Sequence, residues 1–232
     1  MRKNYFLFIL AILFTVNAMA QNIPSYVPKD GLVGYWPFNG NANDESGNGN
    51  HGTVNGATLT ADRNVVANSA YSFNGLTSFI FIPDNNFLDF DSNFTFSTWF
   101  KSEKFNNGGI NMLLSKHHCT SNDGTYAIGI WDDNNTSKFK INFSGSPYFS
   151  SITYPSDSGI VSLNIWNNFV VRYNKSSKLL TYYLNGNKVF SKSLDFMILN
   201  NNDDFYIGVQ NCGKKEWFFK GIIDDIAILP AP

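Results

Sequence analysis

Glutamate is nearly missing: in 232 residues it occurs only at Glu45, Glu103 and Glu216. None of the three has an acidic partner two or four residues away on a plausible strand, so no same-strand carboxylate pair for cleaving a glycosidic bond is visible. Histidine occurs at His51, His117 and His118 alone, and no Ser-His-Asp set can be assembled. Cysteine is limited to Cys119 and Cys212. Two sulfurs without Cys-x-x-Cys spacing do not make a zinc site. Charge is sparse as well: 15% of residues are charged and the formal net charge is -1. That excludes the basic field with which a chain attracts nucleic acid or acidic lipid. Fluent helix formers are few, and no 3.6-residue period stands out after the first twenty residues.

The longest apolar run stands at the start, in "MRKNYFLFILAILFTVNAMAQN". Arg2 and Lys3 precede a run from Tyr5 to about Val16, and Ala18-Met19-Ala20 is a small-x-small cleavage site. Residues 1–20 read as a secretory signal peptide, with Gln21 as the mature N-terminus. The run is short of the ~20 residues that a membrane-spanning helix needs. The expected location is therefore secreted or cell-surface. In that setting Cys119 and Cys212 point to a disulfide, with two separate buried thiols as the alternative.

What is abundant is aromatic: Phe, Tyr and Trp make up 16% of the chain. They alternate with polar residues. Phe94, Phe96 and Phe100 share one face of "FTFSTWFK". Tyr126, Ile128 and Ile130 share one face of "YAIGIW", while Ala127, Gly129 and Trp131 take the other. "KFKINFS", "NNFVVRY" and "DFYIGVQ" repeat the pattern, the last with Phe205, Ile207 and Val209 in one row. Asn185-Gly186 in "YYLNGNKV" is a strong hairpin signal. Short strands every ten or so residues, with polar turns between, predict an antiparallel sandwich or barrel. One domain is expected over 31–229, after an exposed lead at 21–30 and before a tail at 230–232.

Six segments then occur in order: "GLVGYWPFNGNANDESGNGNHGTV", "SAYSFNGLTSFIFIPD", "FTFSTWFK", "WNNFVVRYNKSSKLLTYYLNGNKV", "FYIGVQN" and "FKGIIDDIAIL". Together, across 31–229, they resemble the bacterial laminin-G-like domains of the concanavalin A-like lectin/glucanase superfamily. The resemblance implies an all-β, two-sheet antiparallel jelly-roll sandwich whose first and last strands lie together. It also implies a structural calcium. Within "NANDESGNGNHGTV", Asp44, Ser46 and Asn48 stand at alternate positions before Gly49, like the start of an oxygen-ligand loop. Asp44 and Asn48 are the expected ligands, joined by Asp224 or Asp225. A hydrogen-bonded Asx-turn loop without an ion is the alternative.

The superfamily contains glycosidases, but their carboxylate pattern is absent here. The expected function is a non-catalytic, lectin-like carbohydrate-binding module, with protein adhesion at the cell surface as the alternative. Sugar rings stack on exposed aromatics. Trp36, Trp99 and Trp166 lie within strands and read as packing. Trp131, followed by Asp132, and Trp217 in the polar turn "CGKKEW" are the expected contacts, with His117 beside them. For each tryptophan, partial burial under a loop is the alternative.

Overall fold

The computed structural model describes residues 23–89, 92–103, 109–116, 126–133, 138–145, 160–194, 202–211 and 213–229; for 132–133 and 138–145 it describes the backbone alone. The proposed signal peptide, His117, Cys119, Cys212 and the 230–232 tail lie outside the described residues, as does the side chain of Asp132.

The strands in chain order are β1 (Gly34–Trp36), β2 (Thr53–Asn55), β3 (Thr58–Thr60), β4 (Ala70–Asn74), β5 (Phe79–Ile82), β6 (Phe94–Ser102), β7 (Ile110–Lys116) and β8 (Tyr126–Asp133). Then come β9 (Lys138–Gly145), β10 (Ile160–Val161), β11 (Asn167–Asn174), β12 (Leu179–Leu184), β13 (Asn187–Ser193), β14 (Phe205–Ile207), β15 (Gln210–Asn211), β16 (Lys215–Glu216) and β17 (Lys220–Leu229). Among the described residues the one helical element is a single 3-10 turn, Asn86–Leu88, capped by the Asn85 side chain.

These strands form two large sheets, and each named pairing is antiparallel. One runs β13-β12-β11-β6-β17-β4-β3, with β1 also paired to β17. The other runs β10-β9-β8-β7-β14-β5-β2. The last described strand, β17, therefore lies in the middle of the first sheet, and β1 is its neighbour, with Gly34 opposite Ile228. The expected two-sheet sandwich is the observed architecture.

The alternation in the sequence explains the layers. β6 is buried at every second residue, so Phe94, Phe96 and Phe100 enter the core while Thr95, Ser97, Trp99 and Lys101 take the outer face. β11 repeats this with Phe169, Val171 and Tyr173 inward. Facing them from the other sheet are Tyr126, Ile128 and Ile130 of β8, with Phe205 and Ile207 of β14. The Phe96 and Tyr126 rings meet across the interior at 5.0 Å between centroids, and Trp36 and Phe205 at 5.9 Å. Burying such rings supplies the main driving force for a chain with few helices to pack. The Asn185-Gly186 pair adopts left-handed backbone at both positions, φ 51° and 78°, as a tight hairpin turn requires.

One expected row is broken. Gly208 takes φ 82° at the end of β14. Val209 consequently leaves the Phe205–Ile207 side and packs with Phe79 and Tyr206 in a separate cluster. A second small cluster, Val27, Leu32 and Tyr35 with Ala227 and Leu229, straps the N-terminal lead over the outer face of β1 and β17.

Candidate functional site

The polar stretch after β1 is a clasp built around Asp44, which is 1% exposed. Its Oδ1 accepts the backbone N–H of Tyr35 at 2.9 Å and of Ser46 at 2.8 Å. Its Oδ2 accepts the Ser46 hydroxyl at 2.8 Å and the Asn50 N–H at 3.0 Å. The Asn48 amide donates to the carbonyls of Leu32 and Val33 at 2.8 and 2.9 Å. The Asn50 carbonyl in turn accepts the Trp36 indole N–H at 2.8 Å. A long Gly/Asn loop can thus leave a buried strand because every turn of it is tied back to that strand.

This donor set does not fit calcium, which needs acceptor oxygens converging on one point. The Asp44 carboxylate faces N–H and O–H donors instead. Asp224 and Asp225, expected to join it, are bound to Arg63. Among the described residues no group of three or more His, Cys, Asp or Glu could hold a metal ion. The contacts of Asp44 are those of a hydrogen-bonded loop, and the Asn50 Oδ1 beside it is buried without a partner.

The Asp224–Asp225 pair is positioned by an irregularity. Adjacent strand residues ordinarily point to opposite faces. Here the β17–β6 register shifts between Asp224 and Ala227, and Asp225 takes φ 43°. This β-bulge lets both carboxylates reach one cation. Arg63 places Nη1 2.5 Å from Asp224 Oδ2 and Nη2 2.6 Å from Asp225 Oδ2. Its guanidinium lies 4.9 Å from the Trp99 ring centroid. Tyr35 donates its hydroxyl to Asp225 Oδ1 at 2.9 Å, and Tyr26 donates to Oδ2 at 3.2 Å. Burial, then the neighbouring Asp225 charge, push the Asp224 carboxyl up to about 7 against the pull of Arg63. Burial and the Asp225 charge also raise Tyr35. Burial lowers Arg63, but the Asp225 charge and hydrogen bond outweigh it and the net shift is upward.

Beside this cluster, between the lead and the sheet, is a cavity of about 230 Å³ lined among others by Tyr26, Val27, Trp99, Asn168, Asp225 and Leu229. Trp99, read from sequence as packing, is half-buried on the outer face. The signal was present in the alternation of β6. The role of Arg63 had none, since nothing local marks it as the partner of residues 161 positions away.

Of the two tryptophans expected to make contacts, Trp131 is on the opposite sheet and Trp217 directly follows β16. Trp131 follows Ala127 and Gly129 along the outer row of β8, is 40% exposed and pairs with Ile110 across the ladder. Trp217 is 37% exposed and held at φ 54°, an unusual backbone state for a bulky residue. Its carbonyl accepts the Met112 N–H at 3.1 Å, and Met112 faces Gly129. Both tryptophans therefore border the same stretch of β7 and β8. A Cβ on Gly129 would press into Ile110 and Met112, which form the low apolar floor there with Ala127.

Four other acidic groups among the described residues face a lysine. Lys116, fully buried, holds Asp84 at 2.6 Å and Asp89 at 3.1 Å. Glu103 faces Lys220 at 3.7 Å and Glu216 faces Lys214 at 3.5 Å.

No curated protein matches the sequence. Among solved structures, domain 4 of AbnA, a GH43 extracellular arabinanase from Geobacillus stearothermophilus in complex with arabinotriose, is similar. The TM-score is 0.61 at 20% identity, over 86% of this chain and 92% of that one. The binding domain of Paraclostridial Mosquitocidal Protein 1 gives 0.60 at 23% identity, over 87% of this chain and 49% of that one. Botulinum neurotoxin type C, from a structure concerning cell entry that depends on two ganglioside molecules, gives 0.59 at 16%, over 87% and 48%. The chain spans about half the length of these two toxin structures, and the likeness is one of fold. The family model Laminin_G_3 matches residues 73–232. The chain belongs to this family of the concanavalin A-like lectin/glucanases superfamily.

Proposed function

We propose that the protein is an exported, non-catalytic carbohydrate-binding module that stacks sugar rings on Trp131 and Trp217. The observation that carries this reading is the pair itself. Two large aromatic side chains stay more than a third exposed along one stretch of β7 and β8. One of them is held in left-handed backbone, a conformation that costs of order 1–3 kcal/mol and that clusters at binding sites. Ile110, Met112 and Ala127 between them are buried, so the exposed indole faces are the surface offered to the apolar face of a sugar ring. Asp132, next to Trp131 in β8, and His117 would supply hydrogen bonds.

Two of the similar folds support the choice of ligand, since arabinotriose and gangliosides both present sugar rings. The non-catalytic half rests on the carboxylates. Asp224 with Asp225, and Asp84 with Asp89, are each held by one shared buried or half-buried cation. A glycosidase needs two carboxyl groups facing the bond, one of them to donate a proton. The clasp around Asp44 is held by hydrogen bonds to its carboxylate, with the Asn50 Oδ1 buried and without a partner.

A single site of this kind binds at about 0.1–1 mM, or ~4–5.5 kcal/mol. Glycan-array screening of multivalently displayed protein tests the reading. Binding to a related set of glycans is the expected result. A blank array combined with capture of a cell-surface protein would replace it with the adhesion reading.

A further inference from the structure

We propose a second sugar site, for a single terminal or free monosaccharide ring, in the cavity between the N-terminal lead and the outer face of the larger sheet. It lies on the opposite side of the sandwich from Trp131, because Ser97, Trp99 and Asn168 point outward from one sheet and Trp131 outward from the other.

The walls match a pyranose or furanose ring. Val27 and Leu229 are buried and apolar, and with Trp99 they offer a surface for the ring's C–H face. Polar groups converge on the same space. Trp99 is the centre of a row across three strands, with Asn168 on one side and Asp224 on the other. Asn168 brings an amide, Ser97 and the exposed Tyr26 bring hydroxyls, and Asp225 brings a carboxylate. Donors and acceptors together are what a polyol needs, since each hydroxyl both gives and takes a hydrogen bond.

Charge disfavours an anionic ligand. Asp224 and Asp225 share the one guanidinium of Arg63. With Asp224 pushed up to about 7, the cluster keeps a small net negative charge, and its guanidinium is already paired. Size selects one ring: about 230 Å³ is below the ~300–1,000 Å³ of sites for drug-sized ligands. The site is independent of the Trp131–Trp217 platform. Where both operate, one domain would hold two glycans on opposite faces.

Saturation-transfer NMR with free D-glucose, D-galactose, D-mannose and L-arabinose at millimolar concentration tests this. Wild-type protein is compared with Ser97→Phe, Asn168→Ala and the double variant Trp131→Ala/Trp217→Ala. Ser97 points outward into the cavity and forms no ion pair, so Phe there fills the cavity without removing a charged partner; an unchanged far-UV spectrum checks the fold. The expected result is a signal for at least one monosaccharide that Ser97→Phe abolishes and Asn168→Ala weakens several-fold. The double tryptophan variant keeps it. No monosaccharide signal in the wild type would overturn the proposal, whatever the glycan array shows. A signal that survives Ser97→Phe but is lost with the tryptophans would overturn it too.

Discussion

The guanidinium of Arg63 lies 4.9 Å from the ring centroid of Trp99. Beneath this stacked pair, two successive residues of the last strand, Asp224 and Asp225, reach the same cation. Removing Arg63 would leave two carboxylates on a half-buried face with no counter-ion. Arg63→Met keeps much of the aliphatic contact with Trp99 and deletes the charge. It should destabilise the fold by about 3 kcal/mol, the lower end for a broken buried pair because Arg63 keeps some exposure. Urea denaturation at neutral pH measures it. A loss below ~1 kcal/mol would show that the pair is not held in this form.

The same cluster sets a pH dependence. The folded Asp224 carboxyl, at about 7, is raised above the ordinary 3.8. Between these values the unfolded chain has released the proton and the folded chain still binds it. Stability from this group is therefore complete below about pH 4 and declines as pH rises toward 7, by at most ~1.4 kcal/mol per pH unit. Glu45, also raised by burial and by Asp44, adds a slope of the same sign. Asp224→Asn should flatten most of the decline in thermal melts from pH 4 to 8. An equally steep decline in the variant would assign it elsewhere.

The clasp makes an opposite claim about metal. Asp44→Ala removes four hydrogen-bond acceptances and strands the N–H groups of Tyr35 and Asn50, which are buried. The expected loss is about 3 kcal/mol or more. Chelator should leave the melting temperature of the wild type unchanged, because a ligand that binds only the folded state would raise it. A drop on chelation, restored by calcium, would reinstate the ion.

The layers of this protein were legible where period-2 alternation runs unbroken, as in Phe94–Phe100 and Phe169–Tyr173. They were illegible where backbone irregularity decides which way a side chain points. The bulge after Asp224 puts neighbouring carboxylates on one cation, and the positive φ of Gly208 moves Val209 into another cluster. Neither leaves a trace in hydrophobic pattern. Asp44, expected from sequence as a calcium ligand, accepts the N–H and O–H groups of its own loop. Its residue types suit an ion and a set of N–H donors equally well, and only the backbone positions distinguish them. Trp99 was legible as an outward residue by the same alternation, but its function depends on Arg63, brought in from a distant loop.

Two described residues near the cysteines in sequence are in contact. Ser115, just ahead of Cys119, donates its hydroxyl to the carbonyl of Val209, just ahead of Cys212, at 2.9 Å. The strands leading to the two sulfurs are in contact. Mass spectrometry of unreduced peptides from exported protein should find Cys119 and Cys212 cross-linked. Two alkylatable thiols in native material would exclude the bridge.

The most direct test of the central claim is the affinity of the best array glycan for wild type, Trp131→Ala and Trp217→Ala, by titration calorimetry with product analysis of the same mixtures. The account predicts millimolar or tighter binding by wild type, loss of detectable binding in each variant with unchanged melting temperature, and intact glycan throughout. Binding that survives both substitutions, or glycan cleaved by the wild type, would contradict it.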